Sequence, residues 1–289
     1  MCPRYCGVDR YSSFGYCGAG QTLRVNLAMQ HFGEEPVLSG KQGSGTIFFA
    51  HCNLKCIFCQ NHQISINNWG DDIAIEDLAK LMLKLEKQGA HNIDFVTPSH
   101  FTYHIAEAIK TAKEHGLSIP IVWNSSAFEL PEVLKHLNGL VDIYLPDLKY
   151  AHGVYSKKFS FTASYPQIAR AAIKEMYAQA GFLQVDKNGL ATKGVIIRML
   201  VLPNNLAGIE DNLQWIYENF EDRIHLSIMG QDYPTHRANQ YSEMARGITK
   251  DEYQRVLEKI ANLGFTNVWT QELSSDSEWT PDFQKPSTL

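Results

Sequence analysis

The chain has 289 residues, 44% of them hydrophobic and 20% charged, enough for a sizeable core without disulfide or metal staples. Its net charge of -5 is interspersed rather than blocked, which argues against a phosphate-binding surface and so against nucleic acid as the main partner. No stretch reaches the roughly 18–20 uninterrupted apolar residues of a membrane span, and the N-terminus lacks the apolar core of a signal peptide, so no membrane partner and a cytoplasmic location are expected.

Residues 1–40 read as a Cys-rich N-terminal extension, 41–275 as an α/β body, and 276–289 as an irregular surface tail carrying Pro281 and Pro286. In the body, β-rich runs alternate with segments of helical period. Residues 46–50 are predicted as a strand. A helix over 76–87 sets Leu78, Leu81, Met82 and Leu85 on one face and stops at Gly89. Residues 93–96 form the second strand and 104–115 the next helix, with Ile105, Ala108, Ile109 and Ala112 in register. The third strand is 119–123, with Pro120 suited to a strand start. The fourth is 141–145, followed by a helix around 167–179. Residues 195–201 form the fifth strand, and a helix around 211–219 leads to the sixth at 224–228. Thr249 and Glu252 supply an S/T-x-x-E capping box for a last helix ending near Gly264, and 266–269 form a seventh strand. Such alternation implies right-handed βαβ units on a parallel sheet, here a partial or full parallel β/α barrel. Ligands then gather at the carboxyl ends of the strands.

All six cysteines lie between Cys2 and Cys59, whereas cysteines used as core filler would scatter along the chain. Reduced thiols clustered in this way point to metal binding or catalysis. Cys52, Cys56 and Cys59 have C-x3-C-x2-C spacing just past the first strand. Three thiolates on a short loop can hold three corners of an iron–sulfur cubane. A fourth cysteine would close the cluster, and none follows Cys59. A zinc site completed by Cys17, His51 or His62 is the alternative, although zinc motifs favour paired C-x2-C knuckles.

The triplet, with the aromatic Phe58 before its last cysteine, resembles the signature of radical S-adenosylmethionine (SAM) enzymes. The stretches 43–49, 60–61, 96–100, 142–150 and 197–203 look like the PflX-like group, homologues of pyruvate formate-lyase activating enzyme. The resemblance spans nearly the whole chain. It implies a radical SAM type barrel with a 4Fe-4S cluster on Cys52, Cys56 and Cys59, and SAM on the open iron. A flavodoxin- or ferredoxin-type electron donor would drive cleavage of SAM to methionine and a 5′-deoxyadenosyl radical, which abstracts hydrogen from substrate. In activating enzymes that substrate is a glycine on a partner protein.

The same resemblance assigns further residues. Asp147-Leu148-Lys149 matches the D-L-K of glycyl-radical activating enzymes, where the lysine meets the SAM carboxylate and the aspartate sits beside a monovalent cation. A strand-capping surface ion pair is the plainer reading. Asn124 and Ser125 stand where related activases have an Asp-Thr pair, and the asparagine weakens the case for that cation. Arg198, inside an apolar strand, should reach a carboxylate of SAM or of the protein. The family's Gly-Gly-Glu, which receives the SAM amino group, is replaced by 97–100, where backbone carbonyls and the Ser99 hydroxyl can accept instead; His100 is either catalytic or structural. Cys2, Cys6 and Cys17 look like the remainder of a C-x2-C-P-x2-C…C element and form a candidate second metal site. Trp123, Phe128 and Tyr150 either line the path of a peptide loop, stack on adenine, or belong to the core. The competing function is a non-catalytic zinc or iron–sulfur protein, as in electron transfer.

Overall fold

The computed structural model describes residues 2–230, 233–271, 273 and 281–284. In chain order the elements are β1 (Leu23–His31), α1 (Pro36–Ser39), β2 (Ser44–Phe49), α2 (His62–Ser65), β3 (Asp71–Ile73), α3 (Ile75–Lys87), β4 (Ile93–Val96), α4 (Thr102–Glu114) and β5 (Ile121–Ser125). They continue with α5 (Pro131–Leu134), β6 (Ile143–Pro146), α6 (Gly153–Ser160), α7 (Tyr165–Ala180), β7 (Gln184–Val185), β8 (Ala191–Leu200), α8 (Ile209–Phe220), β9 (His225–Met229), α9 (Lys250–Asn262) and β10 (Val268–Thr270).

The strand order is β10-β9-β8-β6-β5-β4-β2-β1-β3. From β2 to β10 every neighbour on this path is parallel, while β1 and β3 add antiparallel strands at one edge. Among the described strands β10 and β3 stay unjoined, so the partial barrel is the form adopted. All seven predicted strands are present. The third begins at Ile121 rather than residue 119: Pro120 has no N–H to give the ladder, although its carbonyl accepts from Ile93 N–H. Leu23–His31, within the expected N-terminal extension, is a strand of the same sheet. In the expected tail, residues 281–284 are described and the others lie outside the described residues; Phe283 is buried edge-on against Phe48.

Alternation along the strands divides the molecule. Ile47, Phe95, Ile121, Trp123, Tyr144 and Ile197 face the helices and join the main core with Leu81, Met82 and Leu85 of α3 and Ile105 and Ile109 of α4. Their neighbours face the other way. On that side Val122, Ile143, Leu145 and Ile196 pack around Leu38, which α1 inserts between β1 and β2 in the chain. Pro36 fixes the first turn of α1.

The last helix carries the capping box expected from its sequence. Glu252 N–H donates to Thr249 Oγ1 at 3.2 Å and Thr249 N–H to Glu252 Oε2 at 2.8 Å. The same carboxylate takes Arg246 at 2.7 and 2.8 Å and the Asn204 amide at 2.7 Å, tying α9 to the turn after β8. Arg246 first, then the Thr249 and Asn204 amides, hold the Glu252 carboxyl down at about 2 from an ordinary 4.5. A depressed folded-state pKa gives stability that is complete above 4.5 and lost as pH falls toward 2. The stability difference between wild type and Glu252→Gln, followed by urea unfolding across that range, should shrink as pH falls; a constant difference would refute the linkage.

Candidate functional site

Past β2 the backbone turns sharply. His51 and Lys55 adopt left-handed conformations, with φ of 71° and 59°. Thr97 after β4 and Ala127 after β5 do the same, so three neighbouring strands end in strained turns at one edge. Between these turns the Cys52–Cys59 segment is fixed from outside. Ile57 N–H donates to the Phe159 carbonyl, Arg237 N–H to that of Ile57, and Asn53 Nδ2 to that of Phe128. Arg4 does the most. Its guanidinium donates to the carbonyls of Asn53 and Leu54 at 2.7 and 3.0 Å and of Ser160 and Phe161 at 2.9 and 2.7 Å, and it lies 4.0 Å over the Tyr16 ring. The N-terminal segment thus staples the cysteine loop to the end of α6.

Cys52, Cys56 and Cys59 line one cavity of about 600 Å³. Ser160 Oγ donates to Cys56 Sγ at 3.0 Å, Ser65 Oγ lies 3.1 Å from Cys59 Sγ, and Leu54 N–H donates to Cys52 Sγ at 3.4 Å. Burial pushes the Cys56 and Cys59 thiols up to about 12 and about 11, so as thiolates they need a positive partner. Among the described residues no three His, Cys, Asp or Glu side chains already close on one ion-sized point. A cubane asks for a wider arrangement, since each thiolate binds a different iron. Three thiols on one cavity wall fit such a cluster.

The same cavity holds most of the other expected residues: Phe58, Asn124, Ser125, Asp147, Lys149 and Arg198. Phe58 packs edge-on against Tyr150 at 6.2 Å. Lys149 Nζ donates to Asp147 Oδ2 at 2.7 Å, and Arg198 Nε to Asp147 Oδ1 at 2.9 Å. Burial opposes the charge on each, yet Arg198 and Lys149 outweigh it at Asp147, whose pKa falls, and Asp147 outweighs it at both cations, whose pKa values rise. Arg198 also donates from Nη1 to Glu34 at 3.1 Å and from Nη2 to Asn124 Oδ1. Asn124 Nδ2 donates to Asp94 Oδ2 at 3.3 Å. The Tyr165 hydroxyl, shared between the Ser126 and Asp147 carbonyls, accepts from Lys149 N–H and so fixes the turns after β5 and β6 together.

Within that lining, the Ser125 hydroxyl is committed to the buried Glu129. Other expected residues lie elsewhere. Ser99, whose hydroxyl also meets Glu129, lines a second cavity of about 490 Å³ rather than the one with the cysteines. His100 faces that second cavity and bonds the Ala50 carbonyl at 2.8 Å, a structural position. Trp123, Phe128 and Tyr150 are fully buried core residues; Trp123 follows Val122 and precedes Asn124 in β5, so it points away from the cavity. Cys2 and Cys6 line the second cavity, while Cys17 is buried beside it. A methyl group on Gly15 would lie 3.4 Å from Cys17 Sγ and 3.5 Å from Cys6 Sγ, so those two sulfurs are at most about 7 Å apart. Glu34, Glu35, Asp94 and Arg4 were not foreseen as site residues. Asp94 carried the same signal as Arg198, an ionisable group inside an apolar strand.

A family model described as the Radical SAM superfamily matches residues 46–216, more than half of the chain. The chain is 30% identical over 268 residues to the uncharacterized protein MJ0674 of Methanocaldococcus jannaschii, covering 89% of this chain and 72% of the relative. Among solved structures, methylornithine synthase (PylB) superposes with a TM-score of 0.51 at 13% identity, over 82% of this chain and 75% of that one. HydG, a maturase of the FeFe-hydrogenase, gives 0.51 at 14% identity, over 76% of this chain and 49% of that one. At such identities the likeness to both is one of fold. By the family match and the shared fold, this chain belongs to the radical SAM superfamily, whose members use a 4Fe-4S cluster to cleave S-adenosylmethionine.

Proposed function

We propose that Cys52, Cys56 and Cys59 hold the cluster, that SAM binds beside them with its carboxylate at Lys149, and that the enzyme abstracts hydrogen from a substrate admitted to the same cavity. One observation carries the reading: three thiols and the Asp147–Lys149 pair share a single cavity wall. When bound, the cluster and SAM supply one-electron cleavage to a 5′-deoxyadenosyl radical. The chain's own residues orient and shield. Asp147 keeps Lys149 charged and fixed, Tyr165 holds its backbone, and Phe48, Val96, Leu200 and Met229 give the cavity apolar walls that keep water from a reactive radical. The finer reading is an activating enzyme that takes hydrogen from a glycine of a partner protein, reduced by a flavodoxin- or ferredoxin-type donor. Asp147-Leu148-Lys149, placed at the cavity, supports it.

Anaerobically reconstituted protein, reduced with dithionite in the presence of SAM, should release 5′-deoxyadenosine; none, with a cluster signal indifferent to SAM, would refute the reading. Cys56→Ala should abolish the 4Fe-4S signal and Cys6→Ala should leave it. Replacing Arg4 with Ala should lower bound iron about tenfold with little change in far-ultraviolet dichroism, because the loop loses its staple. Lysine at that position should not restore it, having no planar fork for carbonyls on two segments. Lys149→Met should raise the SAM Kd roughly tenfold by calorimetry, the loss of one charge-assisted contact; an unchanged Kd would remove Lys149 from the site.

A further inference from the structure

Glu35 stands at the N-cap of α1, where a carboxylate ordinarily receives the first amides of its helix. It caps nothing. Its side chain, 93% buried by the 7% exposure of the residue, enters the cavity instead, with one carboxyl oxygen bonded to Ser227 of β9. The other oxygen, Oε2, is buried without a partner. An unpaired buried carboxyl oxygen is costly, and its persistence calls for a group that arrives with the ligand.

The charges around it point the same way. Four carboxyl groups, Glu34, Glu35, Asp94 and Asp147, share a network with two cations, Arg198 and Lys149. Neither cation is hydrogen-bonded to Glu35 Oε2. Arg198 is bonded to Asp147, Glu34 and Asn124, and Lys149 to Asp147. Two cations thus face four carboxyls, which leaves the wall short of positive charge, and burial pushes the carboxyls of Glu34, Glu35 and Asp94 up in spite of Arg198. In the sheet, β9 is separated from β2, which leads into the cysteine loop, by β8, β6, β5 and β4. Beside Glu35 the wall is apolar, built from Leu200, Met229 and Trp269.

We infer that the substrate is an organic cation, a protonated amine on an apolar body, whose nitrogen donates to Glu35 Oε2. The inference rests on the enzyme reading above and adds the substrate class. The amine belongs either to a free molecule or to a lysine side chain on a presented loop; the chemistry at Glu35 is the same.

Calorimetry on the SAM-bound, cluster-loaded protein tests it with phenethylamine, the isosteric 3-phenylpropionate, neutral 2-phenylethanol, and an acetylated, amidated Gly-Lys-Gly peptide. Phenethylamine, the peptide, or both should bind at least tenfold tighter than the acid or the alcohol. Glu35→Gln should erase that preference while the SAM Kd stays within twofold. Tighter binding of phenethylamine identifies a free amine as the source, and tighter binding of the peptide a loop. Equal binding of amine, acid and alcohol, or no binding of either amine, overturns the inference without recourse to a variant. Loss of SAM affinity in Glu35→Gln equal to the loss for amine assigns Glu35 to SAM and overturns it too. Pairing the titration with the 5′-deoxyadenosine assay on the same reconstituted, dithionite-reduced protein separates the two readings: amine binding with no 5′-deoxyadenosine formed refutes the reaction and leaves the amine site standing.

Discussion

A strand sends successive side chains to opposite faces, and in a sheet of parallel strands that alternation decides where chemistry can sit. Here one face is buried under helices and tolerates little polarity. The other face is filled at its base by Leu38 and its apolar neighbours and becomes polar toward the strand ends, at Asp94, Asn124, Asp147, Arg198 and Ser227. Those residues come from four strands and, for Asp147, from the residue just past a fifth, so the parallel register brings them to one edge.

That edge concentrates charge. Asp147, held by Arg198 and Lys149, is the pivot of the network, and the turns bearing Asp147 and Lys149 are locked by Tyr165. Removing Asp147 leaves Lys149 without its anion, the kind of loss that costs about 3–5 kcal/mol for a buried pair. The thiols share the cavity with this network, but their loop depends on a further support, the Arg4 guanidinium, which reaches across from the N-terminal segment to the loop and to the end of α6. The cysteine-rich extension and strand β1 therefore shape the site from outside the region matched by the family model.

Much of this followed from local pattern. The second strand at 93–96, helix α3 and the capping box at Thr249 and Glu252 are short-range features, and the cysteine spacing carries its chemistry within eight residues of chain. What escaped notice is long-range. Arg4 acts on carbonyls 49 to 157 residues away, which no local window contains. Glu34 and Glu35 lie in the expected N-terminal extension with no motif around them; only the packing of α1 on the inner face of the sheet turns them inward. Strand β1 is half-buried and antiparallel, unlike the apolar runs of the parallel strands. Ser99 was matched by its place in a motif, whereas the turn at Thr97 sends its hydroxyl to Glu129.

In the proposed site Cys52, Cys56 and Cys59 hold three irons of a cubane and leave the fourth open to SAM. Mössbauer spectroscopy of protein reconstituted with isotopically enriched iron, recorded with and without SAM, tests it most directly. A single iron of each cluster should change its isomer shift when SAM is added, while the others keep theirs. A spectrum in which every iron is alike and indifferent to SAM, or in which the metal is bound as isolated ions, would contradict it.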